Sequence, residues 1–471
     1  MNQTGSAAAD VIVIGGGPGG YVAAIRAAQL GGKVVLVEKD SLGGVCLNRG
    51  CIPTKAMLSA ADVYNTIANR SEEYGVTVSG ISLDYTKVIA RRQKVVKTLV
   101  AGVGYLMKKN NIQVKNGTGR LVSNTTVEVT GADGSKETVS AKNIIIASGS
   151  EPVKVPIPGL EGENVWDSDG ALAANSVPES ILIIGAGAIG LEWAYIFKKF
   201  GSDVTVVELM EHILPQNDSE IADELARSLK KAGIKIMTGR KVTGVESKGG
   251  MMVSTITDAA GAGAQQIESR KILVAVGRRP VSGGMGLEEL GVKTERGRIL
   301  VNDRMETSVP GIYAIGDVTG GMLLAHKASE EGVAASENVM GKKTRMNYNV
   351  LPAAVYTTPE VAAVGMSEQA VKEKGIDYKV GRFQFRPNGK AMALGENEGM
   401  VKIISDAKYG EVLGCHMVGP HVTDMIHEIV IAMAAEATVE TIGRAIHAHP
   451  TLSEVVKEAA LDVYGEAIHK A

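Results

Sequence analysis

Two cysteines with four residues between them, Cys46 and Cys51, are the side chains best suited to chemistry in this sequence. The pair can close a small disulfide loop, bind a metal or remain as two inert thiols. A regular helix would separate their Cα atoms by about 8–9 Å, beyond the usual disulfide range, so a disulfide requires a distorted helical start. Gly50 and Pro53 permit that distortion. Lys55 supplies positive charge that can stabilise a thiolate.

The third cysteine, Cys415, bears on the choice between these possibilities. A metal site would need at least two further ligands, but Cys415 stands alone and no histidine cluster lies near the pair. We therefore predict no metal site, and we expect Cys415 to behave as a small buried apolar residue. Three cysteines in 471 residues cannot form a disulfide scaffold, so the close pair favours catalysis in a reducing compartment.

A histidine near the C-terminus has the neighbours of a proton acceptor. His449 precedes Pro450, and Glu454 follows five residues after the histidine. A turn can bring the carboxylate to the imidazole ring, and a histidine oriented in this way accepts protons near neutral pH. The pair predicts general-base chemistry.

Two glycine-rich turns repeat the same design about 170 positions apart. Each follows a short apolar run, and 23 positions separate its first glycine from an acidic residue. The glycines allow a tight bend and a close approach to a pyrophosphate, while the following helix directs its positive end at the anion. One copy is a weak signal, but two copies predict two nucleotide-binding βαβ units and two cofactors. The copies are Gly15, Gly17, Gly20 with Glu38, and Gly185, Gly187, Gly190 with Glu208.

The acidic residue of each copy ends a strand, where its carboxylate can accept the hydroxyl hydrogens of an adenosine ribose. Glu208 would repel a 2′-phosphate, and the six residues after it contain no arginine to bind one. The second unit is therefore predicted to prefer NAD over NADP. An ordinary strand-end glutamate at the surface is the alternative.

The elements around these motifs predict an α/β fold with two Rossmann-like dinucleotide-binding domains and a C-terminal α+β domain. Short buried strands over 142–149 and 271–277 each end in glycine, and after Met346 the pattern changes to alternating strand-like segments. We predict four segments. They are the first nucleotide-binding domain over 1–150, the second over 151–277, a return to the first or central domain over 278–347, and the C-terminal domain over 348–471.

The segment GGVCLNRGCIPTK, residues 43–55, closely resembles the redox-active segment of the pyridine nucleotide–disulfide oxidoreductase family. The resemblance extends through both nucleotide units, AIGD at 314–317 and HAHPTLSE at 447–454, and covers essentially the whole chain. It implies FAD in the first domain, NAD in the second and a C-terminal dimerisation domain. The residues expected at FAD are Gly15, Gly17, Gly20, Glu38, Lys55 and Asp317, with the backbone near Gly117 and Ala325. Those expected at NAD are Gly185, Gly187, Gly190, Glu208, Val242 and Gly277.

The resemblance also assigns catalytic roles. Cys46 and Cys51 would form the redox-active disulfide, and His449 with Glu454 would reach into the disulfide site of a partner subunit, which makes a homodimer obligatory. Glu192 would pair with Lys55 beside the flavin, although an ordinary solvated helix residue is the alternative for Glu192.

The implied reaction is the oxidation of protein-bound dihydrolipoyl groups. Electrons would pass through the disulfide and FAD to NAD, giving NADH. The partners would be lipoylated E2 proteins of 2-oxo acid dehydrogenase complexes or the H-type protein of the glycine cleavage system. Because the first strand starts at about residue 10, we expect the lipoyl group to come from another protein. A related FAD-dependent NAD(P)H:disulfide reductase with a different disulfide substrate is the alternative, and a non-catalytic nucleotide-binding protein is a further one.

Composition limits the remaining classes. The 50 basic and 52 acidic residues give a formal net charge of −2, which points neither to nucleic acid nor to a membrane surface. No apolar stretch approaches the roughly 20 residues that span a bilayer, and the N-terminus lacks the features of a secretory signal. We therefore expect a cytoplasmic protein.

Overall fold

The computed structural model describes residues 9–470, and these form two compact units. Unit 1 comprises residues 9–57, Thr86–Val153 and Gly277–Met346. Unit 2 comprises Leu58–Tyr85, Lys154–Val276 and residues 347–470.

The elements follow in chain order. The strands are β1 (Ala9–Ile14), β2 (Val34–Glu38), β3 (Gln113–Asn116), β4 (Thr118–Ser123), β5 (Thr126–Thr130), β6 (Lys136–Ile146), β7 (Ser150–Pro152), β8 (Val165–Trp166), β9 (Ser180–Ile184), β10 (Asp203–Val207), β11 (Lys235–Met237), β12 (Arg240–Lys248), β13 (Met251–Asp258), β14 (Gln265–Ser269), β15 (Lys271–Val274), β16 (Arg278–Pro280), β17 (Thr294–Glu295), β18 (Arg298–Ile299), β19 (Ile312–Ala314), β20 (Ala353–Val355), β21 (Glu360–Gly365), β22 (Tyr378–Gln384), β23 (Met400–Asp406) and β24 (Val412–Gly419). The α-helices are α1 (Pro18–Gln29), α2 (Gly44–Arg49), α3 (Cys51–Asn65), α4 (Tyr85–Lys109), α5 (Ser168–Ala173), α6 (Ala188–Lys199), α7 (Ser219–Lys231), α8 (Ala325–Val339), α9 (Glu368–Glu373), α10 (Gly389–Leu394), α11 (Val422–Ala434), α12 (Val439–Arg444) and α13 (Glu454–Asp462). A π-helical turn covers Thr66–Arg70, and 3₁₀ turns cover Glu72–Tyr74 and Gly316–Thr319.

The main sheet of unit 1 is seven-stranded. Strands β3, β2, β1, β6 and β19 pair in parallel in that order, and β4, β5 and the first half of β6 add an antiparallel extension. Val11 and Val13 of β1 face one core cluster, while Ile12 and Ile14 face another, and all four are buried. A parallel strand covered on both faces is apolar throughout, which is why this run has no polar alternation.

Unit 2 contains a parallel sheet of the same design, in the order β11, β10, β9, β15 and β8. The antiparallel strands β12, β13 and β14 form a separate small sheet. The two parallel sheets differ in the origin of the fifth strand. In unit 1 the fifth strand is β19, which follows the other four strands in the sequence. In unit 2 the fifth strand is β8, which precedes the other four. The repeated order confirms the internal duplication that the glycine turns predict.

The C-terminal part of unit 2 is a five-stranded antiparallel sheet in the order β20, β21, β24, β23 and β22. Helices α11, α12 and α13 cover it over an apolar cluster that includes Phe383, Phe385 and Met417. The α/β fold with an α+β C-terminal part is therefore confirmed.

Candidate active site

The two cysteines of the redox motif are joined by a disulfide, with their Cα atoms 4.7 Å apart. Helix α2 carries Cys46 and ends at Arg49, Gly50 follows as its C-cap, and helix α3 starts at Cys51. Gly50 has φ −136° and ψ −109°, which breaks the helical path between the sulfurs. Pro53 lies in the first turn of α3, where its missing N–H costs no helical hydrogen bond. The distortion predicted at Gly50 is confirmed.

Close backbone contacts fix the disulfide segment against the first glycine turn. Gly43 donates its N–H to the Gly16 carbonyl at 2.8 Å. A Cβ at Gly44 would lie 2.6 Å from the Gly17 Cα atom, so only glycine allows this approach. Because Gly17 belongs to the predicted FAD turn, the disulfide segment starts at that turn.

Glu38 and Glu208 occupy equivalent positions in the two parallel sheets. Glu38 Oε2 accepts the Gly16 N–H at 2.6 Å, and Glu208 Oε2 accepts the Ala186 N–H at 2.7 Å. The other oxygen of each carboxylate accepts the N–H two residues further along the chain. A carboxylate has about four acceptor positions, so each can still accept hydrogens from a ribose.

The space beside the second glycine of each turn fits a dinucleotide. A Cβ at Gly17 would meet nothing closer than 3.9 Å, and one at Gly187 would meet nothing within 4 Å. Both residues precede 12-residue helices that have no side-chain cap and no acidic residue in the first turn. Because no side chain caps these helix starts, their amide groups can receive a pyrophosphate. These residues fit FAD at the first turn and NAD at the second.

The other residues expected at FAD lie in unit 1. Gly117 donates its N–H to the Glu38 carbonyl at 2.8 Å. Asp317 lies in the 3₁₀ turn after β19, and Ala325 begins α8, which has no side-chain cap. Lys55 lies one turn after Cys51 on α3. Their contact with FAD stays a prediction.

A buried ion pair next to the turn that carries Asp317 was not predicted from the sequence. Lys327 and Glu331 of α8 are 3.0 Å apart, and both side chains are almost fully buried. Glu331 Oε2 accepts the Gly316 N–H at 2.6 Å, and Lys327 Nζ donates to the Gly320 carbonyl at 3.0 Å. The pair holds the turn that carries Asp317. The four-residue spacing of Lys327 and Glu331, which places both on one face of a helix, is the sequence signal that could have predicted the pair.

The other residues expected at NAD include Val242, which is buried in β12, and Gly277, which has φ +122°. Gly190 lies within α6, where an added Cβ would be 2.0 Å from the Gly185 oxygen. This contact closes the second glycine turn as the equivalent contact between Gly20 and Gly15 closes the first.

Glu192 is buried, with 4% of its surface exposed, so the alternative of a solvated helix residue is wrong. Its Oε1 accepts the Tyr356 N–H at 3.1 Å. One turn later on α6, Tyr195 donates its O–H to Asp62 at 2.6 Å. Burial raises the pKa of Asp62, although hydrogen bonds from Tyr195 and Thr358 act against it. The sequence analysis missed this contact because its partners lie 133 positions apart.

His449 and Glu454 meet as the sequence predicts. His449 Nδ1 lies 2.9 Å from Glu454 Oε1, and Glu454 Oε2 accepts the Thr451 N–H at 2.9 Å. Burial acts to raise the pKa of Glu454, but the Thr451 and His449 hydrogen bonds outweigh it and hold the pKa below its ordinary value. The ionised carboxylate therefore fixes the proton on Nδ1 and leaves Nε2 free to act as a base.

His447 and Cys415 lie in surroundings that indicate a structural role. His447 Nε2 lies 2.6 Å from Glu428, and its Nδ1 lies 3.0 Å from the Ala445 carbonyl, so both ring nitrogens are engaged. Cys415 is free and fully buried, as predicted, and burial raises the pKa of its thiol. Within residues 9–470, no group of three or more His, Cys, Asp or Glu side chains is arranged to hold a metal ion.

The fold and this site define a disulfide oxidoreductase with two dinucleotide sites. The chain belongs to the pyridine nucleotide-disulphide oxidoreductase family, which it matches over residues 9–332, and it matches the dimerisation domain of that family over 351–460. Enzymes of this family use FAD and a pyridine nucleotide, and the predicted cofactors, FAD and NAD, are confirmed.

Individual relatives are similar over nearly the full length. Dihydrolipoyl dehydrogenase of Bacillus subtilis is 44% identical over 98% of this chain and 99% of its own. The mitochondrial dihydrolipoyl dehydrogenase of Pisum sativum is 44% identical over 99% of this chain and 93% of its own. The crystal structure of LpdA from Mycobacterium tuberculosis superimposes with a TM-score of 0.89 at 26% identity, over 96% of this chain and 99% of that chain.

Proposed function

We propose that this enzyme oxidises dihydrolipoyl groups carried by other proteins and transfers the electrons to NAD⁺, giving NADH. The observation that carries the proposal is the Cys46–Cys51 disulfide, held against the first glycine turn. It occurs in a chain that is 44% identical, over almost its whole length, to proteins named dihydrolipoyl dehydrogenase. The disulfide supplies a two-electron acceptor for a dithiol.

The first step is thiol activation by His449. Nε2 of the ring accepts the proton of one dihydrolipoyl thiol, and Glu454 stabilises the imidazolium that forms. The thiolate attacks the Sγ atom of Cys46, and the Cys46–Cys51 bond breaks. Cys51 leaves as a thiolate, and a mixed disulfide joins Cys46 to the substrate.

The second step closes the lipoyl ring. The remaining substrate thiol attacks the substrate sulfur of the mixed disulfide and expels Cys46, which takes up the proton that this thiol loses, so the dithiol is oxidised and the cysteine pair is reduced. FAD, held by the first glycine turn with Glu38 and Asp317, would supply the chemistry that passes the electron pair of the reduced cysteines on to NAD⁺. Lys55, one turn from Cys51, stabilises the negative charge that this transfer creates.

The cofactor-binding residues divide between the two glycine turns. The set around Gly15, Gly17, Gly20 and Glu38 holds FAD together with Asp317. The set around Gly185, Gly187, Gly190 and Glu208 holds NAD. At Glu208, a ribose with two free hydroxyls is favoured, because a 2′-phosphate would place negative charge beside the carboxylate.

The catalytic unit is a homodimer in which His449 and Glu454 of one subunit serve the disulfide of the other. The match to the family's dimerisation domain supports this arrangement. His449 is 75% exposed, and the neighbouring Ile446 is 98% exposed. A fully exposed isoleucine beside a catalytic base is explained when a second copy covers it.

The substrate arm is supplied by a lipoylated E2 protein of a 2-oxo acid dehydrogenase complex or by an H-type protein of the glycine cleavage system. In residues 9–470, no helix has the length and apolar character that a membrane crossing requires.

We assign the enzyme to the cytoplasm. The pea relative is named as mitochondrial and the Bacillus subtilis relative is not.

The test replaces each cysteine. Cys46→Ser and Cys51→Ser should each abolish NAD reduction by dihydrolipoamide while the purified protein keeps its flavin absorbance. Cys415→Ala is the matched control and should retain turnover, because Cys415 is a free, buried thiol that takes no part in the disulfide. Substantial lipoamide turnover in either serine variant would refute the proposed route.

A further inference from the structure

A hydrogen-bonded chain of three side chains ends at Asp317. Ser150 donates its O–H to Asp317 Oδ2 at 2.5 Å. The guanidinium of Arg278 donates from Nε to Ser150 Oγ at 2.8 Å and from a terminal nitrogen to the Ser150 carbonyl at 2.7 Å. Ser150 is buried, with 6% of its surface exposed.

The direction of these hydrogen bonds is fixed by chemistry. Arginine has donors only, so Ser150 Oγ must accept from Arg278. The single hydroxyl hydrogen of Ser150 is then directed to Asp317, which accepts it on Oδ2. Oδ1 remains available for a hydroxyl hydrogen of a ligand, and the carboxylate is held in one rotamer.

Strand pairing and further hydrogen bonds fix the backbone around Ser150 and Arg278. Strand β16, which carries Arg278, pairs with β7, which carries Ser150. Ser148 donates its O–H to the Val281 carbonyl at 2.6 Å, and Val153 donates its N–H to the Gly277 carbonyl at 3.1 Å. The two donors are therefore placed by a strand pair and not by a mobile loop.

We propose that Ser150 and Arg278 are positioning residues for FAD, which act by orienting the carboxylate of Asp317 toward a hydroxyl of the cofactor. This inference rests on the proposed role of Asp317 in FAD binding. Arg278 directly follows Gly277, one of the residues proposed at NAD. The hydrogen-bonded chain of side chains therefore starts directly after the predicted second nucleotide-binding domain, residues 151–277.

The test measures how fast FAD leaves the holoenzyme. Purified holoenzyme is diluted to nanomolar concentration, and free FAD is followed by its fluorescence. Ser150→Ala and Arg278→Gln should each speed FAD release about tenfold or more, since a hydrogen bond to a charged group is lost or misdirected. Ser150→Thr, which keeps the hydroxyl, should restore slow release.

Arg279→Gln is the matched control. Arg279 lies on the same strand but points to solvent, where it forms a 2.6 Å ion pair with Glu151 of β7. Its loss should change FAD release less than twofold, because an exposed ion pair contributes little.

A double-variant experiment separates positioning from general loosening of the fold. In an Asp317→Ala background, Ser150→Ala should have no further effect on FAD release. A tenfold effect that persists without Asp317 would overturn the inference, and so would release at the wild-type rate in Ser150→Ala. Neither result depends on lipoamide turnover, which is measured separately on wild-type enzyme and tests the proposed function.

Discussion

His449 owes its orientation to neighbours within five residues of chain. Glu454 accepts from the ring on one oxygen and from the Thr451 N–H on the other, so the carboxylate cannot rotate without losing a hydrogen bond. Asn388 donates to the Thr451 carbonyl at 3.0 Å and fixes this turn to the start of α10. The imidazole is therefore held in one orientation, with Nδ1 bound to Glu454.

Replacing His449 by glutamine should lower kcat for lipoamide oxidation by roughly 10²–10⁴-fold, the usual contribution of a general base. Flavin content should not change. His469→Gln is the matched control, because His469 is 73% exposed and forms a similar 2.8 Å pair with Glu458. Equal losses of activity in the two variants would contradict the role of His449.

For individual residues, the sequence predicts contacts between near neighbours in the chain and misses contacts between distant residues. Cys46 with Cys51, and His449 with Glu454, lie five residues apart and form pairs by short-range geometry. Ser150, Arg278 and Asp317 are spread over 167 positions. The pairing of β7 with β16 brings Arg278 to Ser150, and the pairing of β19 with β6 places the turn that carries Asp317 beside them. No spacing rule contains that information.

Helix α6 and its glycine turn show how an element sets a binding site. Gly190 lies so close to the Gly185 carbonyl that any side chain would push the helix away from the strand. The start of α6 would then lose its position relative to the pyrophosphate of the proposed NAD.

Gly190→Ala should raise the KM for NAD about tenfold or more, because misplaced helix amides lose their contacts to the anion. FAD should stay bound. Gly102→Ala is the control, since nothing lies within 4 Å of its Cβ position in α4. That variant should keep its KM and gain up to about 1 kcal/mol of helix stability. Unchanged NAD kinetics in Gly190→Ala would contradict the assignment.

A buried lysine joins three elements of unit 2. Lys402 Nζ on β23 lies 2.8 Å from Asp218 at the start of α7, 2.9 Å from Glu220 and 2.8 Å from Glu368 on α9. Burial acts to raise the pKa of Glu368, but the neighbouring Lys372 and Lys402 outweigh it and lower the pKa to about 2. The cluster therefore stabilises the fold with Asp218 and Glu368 ionised.

Lys402→Met should destabilise the protein at pH 7 by about 3–5 kcal/mol, because it leaves buried carboxylates without their cation. The lowered pKa of Glu368 stabilises the folded state above pH 4.5, and this contribution is lost as the pH falls toward about 2. The Tm difference between wild type and variant should therefore shrink over that range. A difference that is constant with pH would contradict the electrostatic explanation.

The sequence predicts elements well where an apolar run meets a glycine. The β1–α1–β2 and β9–α6–β10 units follow directly from their motifs. It does not predict the Lys402 cluster, because a lysine within an apolar strand gives no indication of its three partners.

The whole chain is built from a duplicated nucleotide-binding unit and an antiparallel C-terminal sheet. The duplication is visible in the sequence because both copies keep their glycines and their acidic residue. The origin of the fifth strand in each parallel sheet is not visible, since β8 and β19 are only two and three residues long.

The proposed homodimer with shared active sites predicts that two inactive variants complement each other. Cys46→Ser and His449→Gln chains are each expected to be inactive, but a mixed dimer would contain one site with an intact disulfide and an intact histidine. Random reassortment should restore about a quarter of wild-type activity, because half of the dimers are mixed and each has one complete site. No recovery after verified subunit exchange would contradict shared active sites.

The most direct test of the proposed reaction is the reduction of NAD⁺ by dihydrolipoamide, on protein whose visible spectrum has been recorded. NADP⁺ and reduced glutathione serve as parallel controls. We predict a yellow protein with fast turnover for the dihydrolipoamide and NAD⁺ pair and little for either control. A yellow protein that turns over only another thiol substrate, or that prefers NADP⁺, would contradict the assignment.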